Sequence, residues 1–387
     1  MTRMLNDETR DDLQARGYSR RQLAGIAVVF GVGAVAASAG RPSWAAVEYP
    51  APTPDAKVRI DKNECWTGPM AVGQAAAVAM VAHGNRYYPS DGRNDLLRTV
   101  SAVEGVPADH VSPWPGSSDP LCRAVVTYCS PKRGIVTGDP VFELAGATAE
   151  WLGAPVKRVP LTSDYRHDVR AMLAADPNAG VYYIVSPNNP TGTLTPIEDI
   201  EWLVNNKPDG SFVIVDEAYI HFAGNPSASR FVTAGKDVIV LRTFSKIFGM
   251  AGMRMGYMMA RPDVIQKMQR YDGGMTSGAL CVTTLACAVA SLTAKDEIET
   301  RKVQLRETRA MTVEHVKKRG LAVVPSEANM IMIDWKSKSA GEMREAFRAR
   351  GVEIGRVFPA WPTHSRVSIG SAEDMRVFCE TLDRVWA

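Results

Sequence analysis

Polar residues able to do chemistry sit just past apolar runs in the middle of the chain. The run 181–185 (VYYIV) leads into Ser186-Pro187-Asn188-Asn189-Pro190-Thr191-Gly192, and the run 212–215 ends in Asp216-Glu217-Ala218-Tyr219. The run 237–241 ends in Arg242-Thr243-Phe244-Ser245-Lys246, and Arg254 follows in Gly252-Met253-Arg254-Met255-Gly256. An amine held away from water is a nucleophile toward carbonyl carbon. Lys246 has Phe244, Ile247 and Phe248 for neighbours, company that a solvated surface lysine seldom keeps. Gly116-Ser117-Ser118-Asp119 precedes a helical stretch, where free backbone amides and the helix dipole favour an anion. Each piece alone is common: an Asp after a strand is often a cap, and a lysine beside a serine occurs by chance. Their order and spacing together are specific.

These residues need a scaffold that brings strand ends to one edge. Short, continuous, apolar runs at 134–137, 181–185, 212–215 and 237–241, separated by helical segments, predict a mostly parallel, doubly wound α/β sheet covered on both faces. In such sheets ligands bind beyond the carboxyl ends of the strands, where the polar motifs fall. The last hundred residues change character. A charged helix over 296–319, strands at 322–324 and 330–333, a helix over 341–350 and a strand at 366–369 predict a smaller α+β domain. Residues 46–60, with three prolines, read as an extended arm, and 70–82 as a short helix. The expected organisation is an arm with part of the small domain over 46–85, a large domain over 86–290 and a small domain over 291–387.

The composition bounds the function. With 387 residues, 45% apolar and 22% charged, the chain is an ordinary globular one, and a net charge of +3 gives no bulk attraction to nucleic acid. The six cysteines form no CxxC pair and the six histidines no HxxxH pair, so no metal site is expected. Free, buried thiols are the default reading of the cysteines. Residues 1–45 read as an export signal. Arg20-Arg21 stand directly before a charge-free stretch rich in alanine, glycine and valine, and the small-x-small sites Ala37-Ser38-Ala39 and Ser43-Trp44-Ala45 follow. The arginine pair is of the twin-arginine type, so the twin-arginine export machinery is an expected partner, with cleavage near 39–46 and an exported, periplasmic product. The segment is too weakly apolar to serve as a stable anchor.

Taken together, SPNNPTG (186–192), VDEAY (215–219), TFSK (243–246) and GMRMGY (252–257) resemble the pyridoxal-phosphate enzymes of fold type I, within them the histidinol-phosphate aminotransferase-like branch. Asn63-Glu64, Tyr88-Pro89 and Arg366-Val367-Ser368-Ile369-Gly370 add to the likeness, which spans about 57–387. The resemblance implies that Lys246 carries the cofactor and moves the substrate proton, and that Asp216 faces the cofactor's ring nitrogen and keeps it protonated. Tyr219 and Asn189 would donate to its ring oxygen, and Phe142 would stack on the ring. Ser117, Ser118, Asp119, Thr243, Ser245 and Arg254 would hold its phosphate, with Tyr88 reaching the phosphate of the neighbouring subunit in a homodimer. Tyr87 competes with Tyr88 for that part. Arg366 would bind the substrate carboxylate, Arg356 a second anion, and Asn329 would orient a carboxylate, with Asn63, Glu64 and Trp66 lining the entrance. Glu217 is expected to be structural.

One departure stands out. After Asn63-Glu64 the branch continues Asn, Pro, Tyr, Gly, where this chain has Cys65-Trp66-Thr67-Gly68. A bulky indole at Trp66 and the loss of that tyrosine, where Thr67 stands, should change the pocket, and with an export signal they imply a relocated relative and not the housekeeping enzyme. The expected activity is exchange of an amino group between an L-amino acid and a 2-oxo acid. Elimination, decarboxylation, racemisation and oxidative deamination share the same cofactor motifs. A non-catalytic binding homologue would have lost Lys246 or Asp216.

Overall fold

In the computed structural model the residues described are 5–30, 57–85, 90–224 and 226–386. The expected cleavage sites, most of the proline arm, and Tyr87 and Tyr88 lie outside them. The chain opens with two helices, α1 (Asp7–Ala15) and α2 (Arg20–Phe30), then β1 (Val58–Ile60), α3 (Ala71–Met80) and α4 (Ser90–Glu104). The large sheet is built from β2 (Val111–Trp114), β3 (Ile135–Asp139), β4 (Val156–Pro160), β5 (Val181–Val185), β6 (Phe212–Asp216), β7 (Val238–Thr243) and β8 (Gly256–Met259), in the order β2-β8-β7-β6-β5-β3-β4. Its inner strands pair in parallel, while β8 runs antiparallel to both β7 and β2. Every residue of β5, β6 and β7 is buried. Helices cover both faces, which is why these strands read as unbroken apolar runs instead of alternating ones.

This topology brings the motifs to one edge. The carboxyl ends of β2, β3, β5, β6 and β7 and the start of β8 all lie on the same side of the sheet, so residues 116–118, 142, 186–192, 216–219, 243–246 and 254 share it. The helix α5 (Ser118–Tyr128) starts at that edge, with Pro120 in its first turn, where the missing N–H has no intrahelical acceptor to lose. α6 (Leu144–Trp151) follows β3.

The small domain is a four-stranded antiparallel sheet of β9 (Ala322–Val324), β10 (Met330–Asp334), β12 (Val357–Phe358) and β13 (Trp361–Ser368), beside a parallel pair of β1 with β11 (Val352–Ile354). Its helices Ala340–Arg348 and Ala372–Val385 both open on capping boxes, Ser339 with Glu342 and Ser371 with Asp374, which satisfy the free N–H groups of their first turns. The last strand is longer than the 366–369 expected. Among the described residues no helix is long and apolar enough to cross a membrane.

Candidate active site

Lys246 is half-buried, on the turn after β7, above the buried side chains of Phe244, Ile247 and Phe248. Its Nζ donates to the carbonyl oxygens of Asn63 (3.1 Å) and Lys62 (3.4 Å) and lies 5.4 Å from the centre of the Tyr219 ring. No carboxylate pairs with it among the described residues. Asp216 closes β6, 4% exposed. Its Oδ2 accepts from the Tyr183 hydroxyl (3.0 Å) and its Oδ1 from the Ala218 N–H (3.1 Å). Burial pushes its carboxyl up to about 6, against the pull of the Tyr183 and Ala218 hydrogen bonds and of the Lys246 charge.

An anion cradle forms where β2, β7 and β8 meet. Ser117 precedes α5 without capping it by its side chain, so the N–H groups of the first turn have no side-chain acceptor. Gly116 has φ +92°, and a Cβ there would lie 2.3 Å from Nη2 of Arg254. Only glycine lets the guanidinium come down over this loop. Arg254 itself is in the left-handed region (φ 55°) and donates to the Ala251 carbonyl (2.8 Å) and the Ser245 hydroxyl (3.4 Å). Thr243 Oγ1 donates to Ser245 Oγ at 2.9 Å. Asp119 is turned aside: its carboxylate pairs with Arg123 at 2.6 Å, so only its backbone faces the cradle.

The small domain supplies the other wall. Arg366, on β13, is buried, donates to Asn189 Oδ1 (2.8 Å) and to the Asp61 carbonyl, and keeps its Nε without a partner. Burial lowers its affinity for its proton, and no carboxylate forms an ion pair with it among the described residues. Asn63 has φ 54°, a conformation that asparagine bears better than most residues. Its amide donates to the Tyr219 hydroxyl (3.1 Å), so Tyr219 accepts there and keeps its own proton to donate. Asn329 donates to the carbonyl oxygens of Asn63 (3.1 Å) and Glu64 (3.4 Å), which makes it a brace for that turn, while its Oδ1 has no partner. Glu64 is exposed and Trp66 half-buried, on the wall of an open cleft with Arg59 and Asp374. Phe142 is half-buried beyond β3.

Arg356 is ion-paired at the surface with Glu143 and lies 4.3 Å over the Phe358 ring. One expectation needs correcting: the cysteines are unpaired, but Cys281 is exposed and Cys65 and Cys122 only half-buried. Sequence reasoning also missed two partners. Tyr183 looked like strand filler, although a tyrosine inside a fully buried run must find a partner for its hydroxyl. Arg242 is the centre of a buried cluster, donating to Glu217 (2.8 Å), Glu104 (3.1 Å) and Ser227 (3.0 Å), with Tyr257 on Glu104 at 2.6 Å. Glu217 is thus structural, as expected, and locks the ends of β6 and β7 together from beneath.

The profile of aminotransferase class I and II matches residues 61–382. This chain belongs to that family. The aminotransferase is 33% identical over 328 residues to histidinol-phosphate aminotransferase from Symbiobacterium thermophilum, covering 84% of this chain and 89% of the relative. A provisionally named histidinol-phosphate aminotransferase structure from Erwinia carotovora atroseptica superposes with a TM-score of 0.80 at 30% identity, over 85% of this chain and 97% of that one. A histidinol-phosphate aminotransferase from Sinorhizobium meliloti, solved with pyridoxal 5′-phosphate, shares the fold with a TM-score of 0.78 at 23% identity, over 86% and 91%. The cofactor of this aminotransferase is pyridoxal phosphate. Its residues fit that group: a glycine-made cradle beneath Arg254 for the phosphate, a buried carboxyl that lacks a counter-cation for the ring nitrogen, and a lysine amine between them held only by carbonyl oxygens. Among the described residues no group of three or more His, Cys, Asp or Glu is placed to hold a metal ion.

Proposed function

We propose that this pyridoxal-phosphate-dependent aminotransferase exchanges an amino group between an L-amino acid and a 2-oxo acid, and works outside the cytoplasm. The observation that carries the substrate reading is Arg366, a buried guanidinium with, among the described residues, an unpartnered Nε and no ion-paired carboxylate. A buried charge of that kind calls for an anion, and the fork of a guanidinium suits a carboxylate. Pyridoxal phosphate supplies the electrophilic carbon and an electron-accepting ring. The chain does the rest. Arg366 and Asn189 orient the substrate carboxylate so that its Cα–H faces Lys246, whose amine takes that proton and hands it on. Asp216, fixed by Tyr183 and Ala218, presents one negative charge to the ring nitrogen. Tyr219, its hydroxyl held in place by the Asn63 amide, would hydrogen-bond the ring oxygen of a bound cofactor while keeping its own proton.

The substrate test is an absorption titration of the purified protein with a panel of L-amino acids. The band at the edge of the visible should shift on adding the donor and return on adding a 2-oxo acid. No band, with Lys246→Ala indistinguishable from wild type, would overturn the reading, and release of ammonia without a 2-oxo acid would replace transamination with oxidation or elimination. The arginine pair ahead of an apolar stretch supports export through the twin-arginine machinery. Cell fractionation tests it: Arg20→Lys/Arg21→Lys should hold the enzyme in the cytoplasm, and an unchanged distribution would refute export by that route.

A further inference from the structure

Residues 5–27 precede the family match, yet they are bound to the large domain. Leu5, Leu13, Tyr18, Leu23, Ile26 and Ala27 are each less than a tenth exposed and belong to one apolar cluster with α5 and α6. Arg20 and Arg21 remain in solvent. The polar contacts are aimed at specific places. Nη2 of Arg16 donates to the Val126 carbonyl (2.9 Å) and to that of Cys129, and the Tyr18 hydroxyl donates to Cys129 O at 2.6 Å. Gln22 donates to Leu152 O at 2.7 Å, past the end of α6. The Arg16 and Tyr18 groups therefore close the carboxyl end of α5, the helix whose amino end forms the anion cradle. A cation at a helix carboxyl end stabilises the helix and its dipole.

A second path joins the same two places. Asp12 is ion-paired with Arg270. Two residues on, Asp272 pairs with Arg123 (2.9 Å), and Arg123 pairs with Asp119 (2.6 Å) in the first turn of α5. The side chains of Asp272 and Arg123 are both buried. The helix, and two ion-pair groups joined through the backbone of residues 270–272, both lead from the N-terminal segment to the first turn of α5 beside the loop under Arg254.

We propose that residues 5–27 are a clasp linked thermodynamically to the phosphate cradle: docking of the clasp tightens the hold on a phosphate-bearing cofactor, and a bound phosphate holds the clasp down. The linkage is reciprocal by necessity. It rests on the assignment of the cradle at 116–118 to the cofactor phosphate, it concerns the uncleaved precursor, since residues 5–27 leave with the export signal, and it leaves the reaction catalysed unaffected.

The test uses the full chain. Hydrogen exchange of residues 5–27 is followed without ligand, with inorganic phosphate and with pyridoxal phosphate, and slows about three- to tenfold with pyridoxal phosphate and in the same direction with phosphate. Arg16→Ala and the milder Tyr18→Phe each weaken pyridoxal phosphate by a similar factor, read by absorbance titration, and leave the affinity for pyridoxal, which lacks the phosphate, unchanged. Exchange at 5–27 that ignores pyridoxal phosphate overturns the linkage, as does an equal loss for pyridoxal. Failure of any pyridoxal phosphate to bind the wild-type chain would instead remove the cradle assignment.

Discussion

Asp216→Asn separates what the carboxylate costs the protein from what it does for the reaction. Burial raises this carboxyl from 3.8 to about 6. The native state therefore holds its proton over a range where the unfolded chain has released it. Stability is full below pH 4 and falls as pH rises toward 6, by about two units at 1.36 kcal/mol each, or about 3 kcal/mol. Asparagine keeps the shape and has no charge to bury. In protein stripped of cofactor, thermal unfolding should find the variant the more stable above pH 6, by about 6–12 °C at about 2–4 °C per kcal/mol. That gap should open between pH 4 and 6 and then stay constant. With cofactor the order of merit reverses. The carboxylate faces a cationic ring nitrogen, and losing so well oriented a charge lowers kcat about 10²–10³-fold. A gap that does not change between pH 4 and 8 would refute the argument, because the buried charge would then cost nothing.

Four further outcomes follow from the geometry. Gly116→Ala places a Cβ 2.3 Å from the Arg254 guanidinium at φ +92°, and should weaken pyridoxal phosphate at least about tenfold in an absorbance titration and cost about 1 kcal/mol or more in urea unfolding. Arg242→Met leaves Glu104 and Glu217 buried without their cation and should cost about 3–5 kcal/mol in urea unfolding. Arg366→Lys keeps the charge and loses the fork, so KM for the amino acid should rise about tenfold with the cofactor spectrum intact. Cys281 is exposed, and hydrogen bonding from Thr283 holds its thiol below the usual range, so Cys281→Ser should remove the fastest phase of alkylation.

The large sheet was legible because strands covered on both faces leave a continuous apolar trace, and the site because its polar residues interrupt that trace at the ends. The rest depended on contacts that no local pattern carries. Tyr183 reaches Asp216 across a strand pair, Arg242 gathers carboxylates from α4 and β6, and Asn329 braces a turn 266 positions earlier in the chain. Arg356 has a sequence context fit for an anion receptor, and Glu143, from the other domain, occupies it. The N-terminal segment shows why periodicity cannot tell one burial from another: the apolar side chains of an export signal are the same ones that can dock on a protein.

The pairing of β1 with β11 has a consequence for synthesis. Val58 meets Val352, Arg59 meets Glu353 and Ile60 meets Ile354, so one edge of the small domain joins segments almost three hundred residues apart. A ribosome adding about 5–20 residues per second spends roughly 15–60 s on the roughly 300 residues between them. Throughout that time the arginine pair is already outside the ribosome, and the domain behind it cannot yet close. A route that threads unfolded chain could seize such a protein during translation. A route that accepts finished proteins has to wait for the last tenth of the chain, and the order of strands in this fold enforces the wait.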